Sequence, residues 1–272
     1  MPIDLSVVIT TFNSSSTIRA ALDSLQGRAS TDSASEVIVV DNHSSDGSAD
    51  AAASYDGVTV VRNAANEGLA RANNRGAAVA SGRSLFFINP DVVVLPGCLR
   101  DLSSFETGNA GSALLGPATL DDGGAMISSA RSFPTPLDIA LRRSPLGRLP
   151  LAGARLRSHM WPLGRNPGAP ARVDWLVGAA IWLTAAGRDR VGLMSERFFL
   201  YFEDVEWAWR AHSRGMGVWL VPDARVRHEC RRESAGGLRM PLWHHLRSML
   251  IFYSGHPSAL TRGRKRRGIA AT

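Results

Sequence analysis

The chain's 272 residues suffice for one large α/β domain or two small ones with a full core, and 44% hydrophobic with 20% charged residues excludes a fibrous or extensively disordered protein. The formal net charge of +7 conceals an asymmetry: residues 1–136 hold 8 Lys+Arg against 14 Asp+Glu and residues 137–272 hold 23 against 10, a net of −6 followed by +13. Lys265 is the one lysine, so the basic half is an arginine surface suited to nucleic acid, an anionic membrane, a phosphate-bearing substrate or plain solvent. Cys98 and Cys230 form no CxxC pair, which argues against a disulfide framework or zinc knuckle and fits a reducing cytosol. No stretch approaches the roughly 20 apolar residues of a spanning helix. The opening MPIDLSVVITTFN lacks a basic region before its apolar run, so no signal peptide is expected and the chain reads as cytoplasmic.

In chain order, residues 5–10 (LSVVIT) form a β-branched run that reads as a buried strand, followed by a loop at Thr11, Phe12, Asn13 and Ser14 and a helix over 17–25. Residues 37–40 (VIVV) are a second strand before the turn-rich DNHSSDGS, residues 49–54 a short helix and 58–61 a third strand. The alanine-rich stretch 67–81 reads as a helix, and 85–88 as a fourth strand ahead of Asn89-Pro90-Asp91. Apolar strands separated by helices indicate a mostly parallel sheet covered on both faces, in which ligands bind at the carboxyl ends of strands. Thr11, Asp41 and Asp91 each follow a strand, so three polar loops converge on one sheet edge.

Residues 132–172 differ. With Pro134, Pro136, Pro145, Pro150, Pro162, Pro167 and Pro170 and little periodicity, they read as an extended, mobile insertion over the sheet. Order returns at 173–184, then a helix over 198–213 opened by acidic residues, a strand at 218–221 and a helix over 243–253. The run RGRKRR at 262–267 reads as a disordered basic tail.

Several polar residues are candidates for chemistry, each with a structural alternative. Asp41 could accept hydrogen bonds from a base or ribose, or serve an Asx turn. Asp91 could hold Mg²⁺ or Mn²⁺, which prefer oxygen ligands and leave positions for phosphate oxygens; otherwise the Asn-Pro-Asp turn is structural. Glu203, Asp204 and Glu206 open the 198–213 helix where its dipole favours anions, and the surrounding aromatics would raise a carboxylate towards values useful in a general base. His228, after a further strand, could complete a metal site with Asp91.

The ordered motifs LSVVITTFN, EVIVVDNHSSDGS, RNAANEGLARANNRGAAVASG, LFFINPDVVV, VGAAIWL, FFLYFEDVEWAWR and RGMGVWLVPDARVRH together resemble the family-2 glycosyltransferases of the GT-A fold over residues 5–230. Within that family they are similar to bacterial rhamnosyltransferase-type members that build cell-wall and surface polysaccharides. The resemblance implies a single GT-A domain over 1–230, with a nucleotide-binding half to about 118, the insertion at 132–172, an acceptor and catalytic half at 173–230, and a helical, basic extension over 231–272. It implies that Thr11, Phe12 and Asn13 line the nucleotide pocket and that Asp41 meets a pyrimidine base. Asn66, Gly68, Arg71, Asn74 and Asn89 would contact the nucleotide and diphosphate. Asn89-Pro90-Asp91 stands where the family carries its DXD motif, leaving Asp91 to bind the metal with His228. Asp204 would be the catalytic base and Glu203 would help position the acceptor. The chain departs from the family at Glu206, where Asp is usual, and at Glu229, where some members carry a second histidine.

The implied activity is metal-dependent, inverting transfer, best matched to L-rhamnose from dTDP-rhamnose. The acceptor would be a saccharide, polyprenyl-diphosphate-linked, at the inner face of the cell membrane, where the basic half would meet anionic lipid. A metal-dependent nucleotidyltransferase is the alternative, but it would more naturally carry a Gly-rich basic loop where this chain has TTFNSSST. Nucleic-acid binding has only the arginines in its favour and is not expected.

Overall fold

The computed structural model describes residues 4–26, 35–142, 144–160, 167–228 and 239–262. The first half runs β1 (Leu5–Thr11), α1 (Ile18–Gln26), β2 (Ser35–Asp41), α2 (Ser48–Ala53), β3 (Val58–Arg62), α3 (Leu69–Val79) and β4 (Ser84–Ile88). Each expected strand and helix is present, with ends moved by one or two residues. The four strands pair in parallel in the order β3-β2-β1-β4. All seven residues of β1 are buried, which explains the apolar run Val7, Val8 and Ile9 at its centre. Alternate residues serve opposite faces: Val8, Ile38, Val40 and Phe87 join one core, and Val7, Ile9, Val39 and Phe86 the other.

Next come β5 (Val92–Val94), α4 (Cys98–Gly108), β6 (Ser112–Leu120), β7 (Met126–Ile127) and β8 (Ala130–Arg131). They are followed by α5 (Pro136–Arg142), a 3₁₀ turn (Pro145–Arg148), α6 (Pro150–Met160), β9 (Ala171–Arg172), β10 (Trp175–Leu176) and β11 (Ala180–Leu183). The chain then forms α7 (Ala185–Arg190), α8 (Glu203–Ser213), β12 (Gly217–His228), α9 (Arg239–Gly255) and α10 (Ala259–Arg262). The sheet continues β4-β11-β6-β12-β5, with β7 beside β6 and β9 beside β12, while β8 and β10 make a separate hairpin-like pair.

Two antiparallel pairings decide what meets at the cleft. Because β11 runs against β4, its beginning rather than its end lies beside Ile88, and the Asn89 N–H donates to Ala179 O at 2.9 Å. Because β12 runs against β5, His228 sits opposite Val92, next to Asp91.

Three expectations are corrected. Residues 132–172 are not extended throughout: they contain α5, the 3₁₀ turn and α6. Pro136 and Pro150 are the first residues of their helices, where a missing N–H breaks no intrahelical bond, so these prolines start helices. The helix expected over 198–213 begins at Glu203, because Tyr201 and Phe202 both adopt left-handed backbone (φ 69°). The strand expected at 218–221 extends to His228. Cys98 is buried and free, and no helix among the described residues is long and apolar enough to cross a membrane. Cys230, Glu229 and residues 263–267 of the basic run lie outside the described residues.

One carboxylate ties the parallel and antiparallel parts of the sheet together. Glu106 of α4 accepts from Ser84 Oγ (2.8 Å), Trp182 Nε1 (2.7 Å) and Ala185 N–H (2.8 Å), joining α4, β4, β11 and α7. Hydrogen bonds to a charged partner contribute about 1.5–3 kcal/mol, and three donors would lose theirs together. Glu106→Ala should therefore lower stability by about 2–3 kcal/mol in urea denaturation; an unchanged midpoint would show that this junction is not structural.

Candidate active site

The carboxyl ends of β1, β2 and β4 open onto a cleft of about 300 Å³. Thr10, Phe12 and Ser14 line it from the first loop, Asn42, Asn66 and Gly68 from the second and third, Asn89, Pro90 and Asp91 from the fourth, and Phe199 and Leu200 from the loop ahead of α8. Phe12, 47% exposed, offers a bare aromatic ring at its edge. Thr11 itself is fully buried and its Oγ1 has no hydrogen-bond partner. Asn13 takes left-handed backbone (φ 50°) and joins the first two loops: its N–H donates to Ser44 Oγ (2.9 Å) and its Oδ1 accepts from the Ser45 N–H (2.9 Å).

Asp41 is buried just outside the cleft lining and takes part in a turn. Oδ2 accepts from the Ser44 N–H at 3.2 Å, an Asx-type turn, while Oδ1 is buried without a hydrogen-bond partner. The next residue, Asn42, was not singled out from the sequence, yet its amide organises the cleft floor. Its Oδ1 accepts from Asn63 Nδ2 (3.0 Å) and the Glu67 N–H (3.1 Å), and its Nδ2 donates to Asn66 Oδ1 (2.9 Å). Asn66 Oδ1 also accepts from the Gly68 N–H at 3.0 Å. Three asparagines spaced along DNHSS and RNAANEG are the signal in the sequence, but only the fold shows that they form one network.

Gly68 has φ 86°, and a Cβ there would stand 2.4 Å from Phe199 O. That absence of a side chain lets the Leu69 N–H donate to Phe199 O at 2.8 Å. Arg71 and Asn74 do not line the cleft. Arg71 pairs with Glu196 at 3.5 Å, and Asn74 exchanges hydrogen bonds with Met194, donating from Nδ2 to its O (2.9 Å) and accepting at Oδ1 from its N–H (3.2 Å). Behind the cleft wall, α9 holds the loop that carries Phe199: Ser248 Oγ donates to Leu200 O (2.9 Å), and His244 stacks on Phe199.

Asp91 Oδ2 and His228 Nε2 lie 3.1 Å apart at the cleft. Two cis ligands of an octahedral ion with bonds of about 2.1 Å keep a similar separation, so this pair fits a divalent cation that leaves its other positions for phosphate oxygens and water. Among the described residues no third His, Cys, Asp or Glu joins them.

Asp204 is partly exposed at the start of α8. Its Oδ2 accepts from the Gly178 N–H (3.0 Å) and its Oδ1 from the Val205 N–H (2.8 Å). Gly178 adjoins Ala179, whose carbonyl holds Asn89, so Asp204 lies two short links from the Asn89-Pro90-Asp91 turn. Burial pushes the Asp204 carboxyl up, against two backbone N–H donors and the Arg131 charge, which favour its ionised form. Glu203 is buried, its Oε2 has no hydrogen-bond partner, and burial followed by the Asp204 charge pushes it up to about 8. Burial thus favours the neutral form of Glu203, while the two N–H donors on Asp204 favour its ionised form and make it the better placed proton acceptor of the two. Glu206 is occupied in structure, receiving Arg210 Nη2 at 3.0 Å one helical turn away.

A Rossmann-like parallel half, an antiparallel continuation and a cleft that joins them match the GT-A fold. Residues 6–117 match the family described as Glycosyl transferase family 2. The chain is 28% identical over 238 residues to an N-acetylglucosaminyl-diphospho-decaprenol L-rhamnosyltransferase of Mycobacterium tuberculosis, covering 82% of this chain and 75% of the relative. It is 21% identical over 211 residues to a dTDP-rhamnosyl transferase of Shigella flexneri, covering 76% and 64%. Among solved structures it superposes on GalNAc-T7 with UDP, GalNAc and Mn²⁺ with a TM-score of 0.62 at 18% identity, over 94% of this chain and 51% of that one. The chain is therefore a nucleotide-sugar glycosyltransferase similar to rhamnosyltransferases.

Glu203 makes stability depend on pH. Its folded-state pKa is raised, so its contribution is fully present below the ordinary carboxylate range and is lost as pH rises through about 8. Glu203→Gln removes that loss, so the Tm of the variant relative to the wild type should rise between pH 5 and pH 9. An equal Tm difference at both pH values would show that Glu203 is not held protonated.

Proposed function

We propose that this chain transfers L-rhamnose from dTDP-rhamnose, with inversion, to a saccharide carried on a polyprenyl diphosphate, in cell-wall or surface-polysaccharide synthesis. The observation that carries the reading is the placement of Asp204: a carboxylate fixed by the Gly178 N–H, one residue from the carbonyl that anchors Asn89 at the donor cleft. The sugar and the lipid-linked acceptor are carried from the M. tuberculosis and S. flexneri relatives, whose names specify them.

Asp204 takes the proton of an acceptor hydroxyl as that oxygen bonds to the anomeric carbon. The bond from that carbon to the diphosphate oxygen breaks on the opposite face, and its electron pair leaves with the diphosphate. One displacement inverts the centre. Glu203, protonated beneath Asp204, positions the acceptor side of the site. The Asp41 Oδ1, buried without a partner, accepts from the pyrimidine N–H, and Thr11, Phe12 and Asn13 shape the loop around that base. Asn66, Gly68 and Asn89 face the diphosphate, while Arg71 and Asn74 enter this reading as supports of the cleft wall. A divalent cation, Mg²⁺ or Mn²⁺, held by Asp91 and His228 would stabilise the negative charge on the leaving diphosphate.

The reading places the chain in the cytoplasm, peripheral on the inner membrane face. Exposed leucines support this: Leu137, Leu146, Leu149 and the 89% exposed Leu151 surround the insertion helices, and Trp243 and Leu250 stand on α9. Arg142, Arg148, Arg155 and Arg157 lie on the same insertion elements, the pairing of apolar and basic residues that suits an anionic interface.

A radiolabelled transfer assay with dTDP-rhamnose and a panel of UDP-sugars tests the reading. Transfer is expected from dTDP-rhamnose, lost in EDTA, restored by Mn²⁺ or Mg²⁺, and severely reduced by Asp91→Asn without unfolding. Transfer from a UDP-sugar alone would overturn the donor, and full activity in EDTA would overturn the metal.

A further inference from the structure

Helix α9 is apolar on two opposite sides. Its inner side holds the buried Phe252, which packs against Phe202 and Trp209, and Ser248, whose Oγ donates to Leu200 O at 2.9 Å. At about 100° per residue, Trp243, Leu246 and Leu250 fall within about 60° of one another around the helix axis, on the side away from Phe252. They are 59%, 39% and 67% exposed, so a tryptophan and two leucines lie bare on an element whose core side is already filled. A contiguous apolar stripe of this kind marks an interaction surface. Arg247 is exposed beside it.

Charge decides what covers the stripe. Residues 234–272 carry seven Lys+Arg and no Asp or Glu. Two copies meeting through the stripe would bring these like charges together, whereas an anionic surface is drawn to them. A nucleic acid would meet the cations and leave the leucines in water. An anionic bilayer accommodates both: leucines enter the acyl boundary, a tryptophan ring settles at headgroup level, and arginine meets lipid phosphate. With 17 residues α9 would lie along such a surface, since no helix among the described residues is long and apolar enough to cross it.

The inner side of α9 is the back of the cleft wall. His244 stacks on Phe199 with ring centroids 4.7 Å apart, Ser248 holds Leu200, and Phe199 and Leu200 both line the cleft. A helix with its side chains is about 10 Å across, so a bilayer seated on the outer stripe would stand about one helix diameter from that wall. A saccharide diphosphate at headgroup level would then reach the site without its lipid leaving the membrane.

We propose that α9 is the membrane-docking helix of this chain: Trp243, Leu246 and Leu250 enter the interface of an anionic bilayer, with Arg247 at the lipid phosphates, and the cleft wall is held beside the membrane surface. The proposal rests on the peripheral reading given above and commits it to one face of the molecule.

Fluorescence and sedimentation of the full chain with vesicles of phosphatidylglycerol and phosphatidylcholine test it. Trp175, Trp182, Trp207 and Trp209 are buried, so quenching by brominated acyl chains reads Trp243 as the difference from Trp243→Phe. The wild type should be quenched, and Trp243→Phe, when bound, should lose most of that quenching. Leu246→Glu/Leu250→Glu should lower vesicle affinity by about tenfold or more at low salt. Both leucines are exposed, so the double variant should keep the Tm and dTDP affinity of the wild type. Leu149→Glu/Leu151→Glu, on the insertion, should change vesicle affinity much less.

Wild-type binding that the α9 double variant leaves intact, or an unquenched Trp243 in fully bound protein, overturns the assignment to α9 while the peripheral reading stands. A wild-type dimer that the double variant converts to monomer, with vesicle binding unchanged, gives the stripe to a second copy and also overturns it. No wild-type binding at low salt removes both readings. In transfer assays the double variant should lose activity towards a saccharide diphosphate on a long isoprenoid chain embedded in vesicles, and keep it towards a short-chain, water-soluble form. If vesicle binding depends on α9 but no sugar is transferred, the function reading fails while the docking surface stands.

Discussion

The contact between Gly68 and Phe199 joins two parts of the chain that are far apart in sequence and chemically different. Gly68 caps α3 in the nucleotide half, and the space its missing side chain leaves is filled by the Phe199 backbone, where the Leu69 N–H finds its acceptor. Phe199 belongs to the loop that leads, through Tyr201 and Phe202, into the helix bearing Glu203 and Asp204. A left-handed conformation at two consecutive aromatic residues costs on the order of 1–3 kcal/mol each, and it persists here because the loop is held on both sides. Gly68 and Asn74 hold it from α3, and Ser248 and His244 from α9. The cleft wall and the α8 N-terminus are therefore positioned by one loop, and a change at Gly68 would disturb both.

The electrostatics follow from that placement. Entering the helix through a tight turn buries Glu203 and leaves Asp204 partly open, so two neighbouring carboxylates acquire different tasks. Glu203 is pushed up by burial and by its neighbour's charge and has no donor to offset it. Asp204 receives two backbone N–H groups and sits within reach of Arg131, which keeps an ionised form accessible.

Much of the first half could be read directly from sequence. Strands β1, β2 and β4 hold apolar runs because both faces of a parallel sheet are covered there, and the loops after β1, β2 and β4 fall at one edge because the strands run parallel. The second half was less readable because its pairings are antiparallel and long-range. VPDARVRH carries a proline and three charged residues, yet it is strand throughout, paired with β6 and β5. Nothing local marks Gly178 as the partner of Asp204, since 26 residues separate them. Prolines misled in the insertion, where Pro136 and Pro150 open helices rather than prevent them. In the site, the juxtaposition of Asp91 and His228 agrees with expectation at the level of geometry, whereas Arg71 and Asn74 are directed to Glu196 and Met194. Asn42 went unnoticed because its importance lies in three partners that only folding brings together.

The division of labour between two adjacent carboxylates is the claim on which the account turns, and turnover of Asp204→Asn beside Glu203→Gln measures it most directly. With nucleotide affinity followed by calorimetry, Asp204→Asn should lower kcat by roughly 10²-fold or more while dTDP binding stays near that of the wild type. Glu203→Gln, which replaces a protonated carboxyl by a neutral amide of similar shape, should retain most of the turnover at neutral pH. Near-native turnover in Asp204→Asn together with its loss in Glu203→Gln would contradict the assignment and make Glu203 the base.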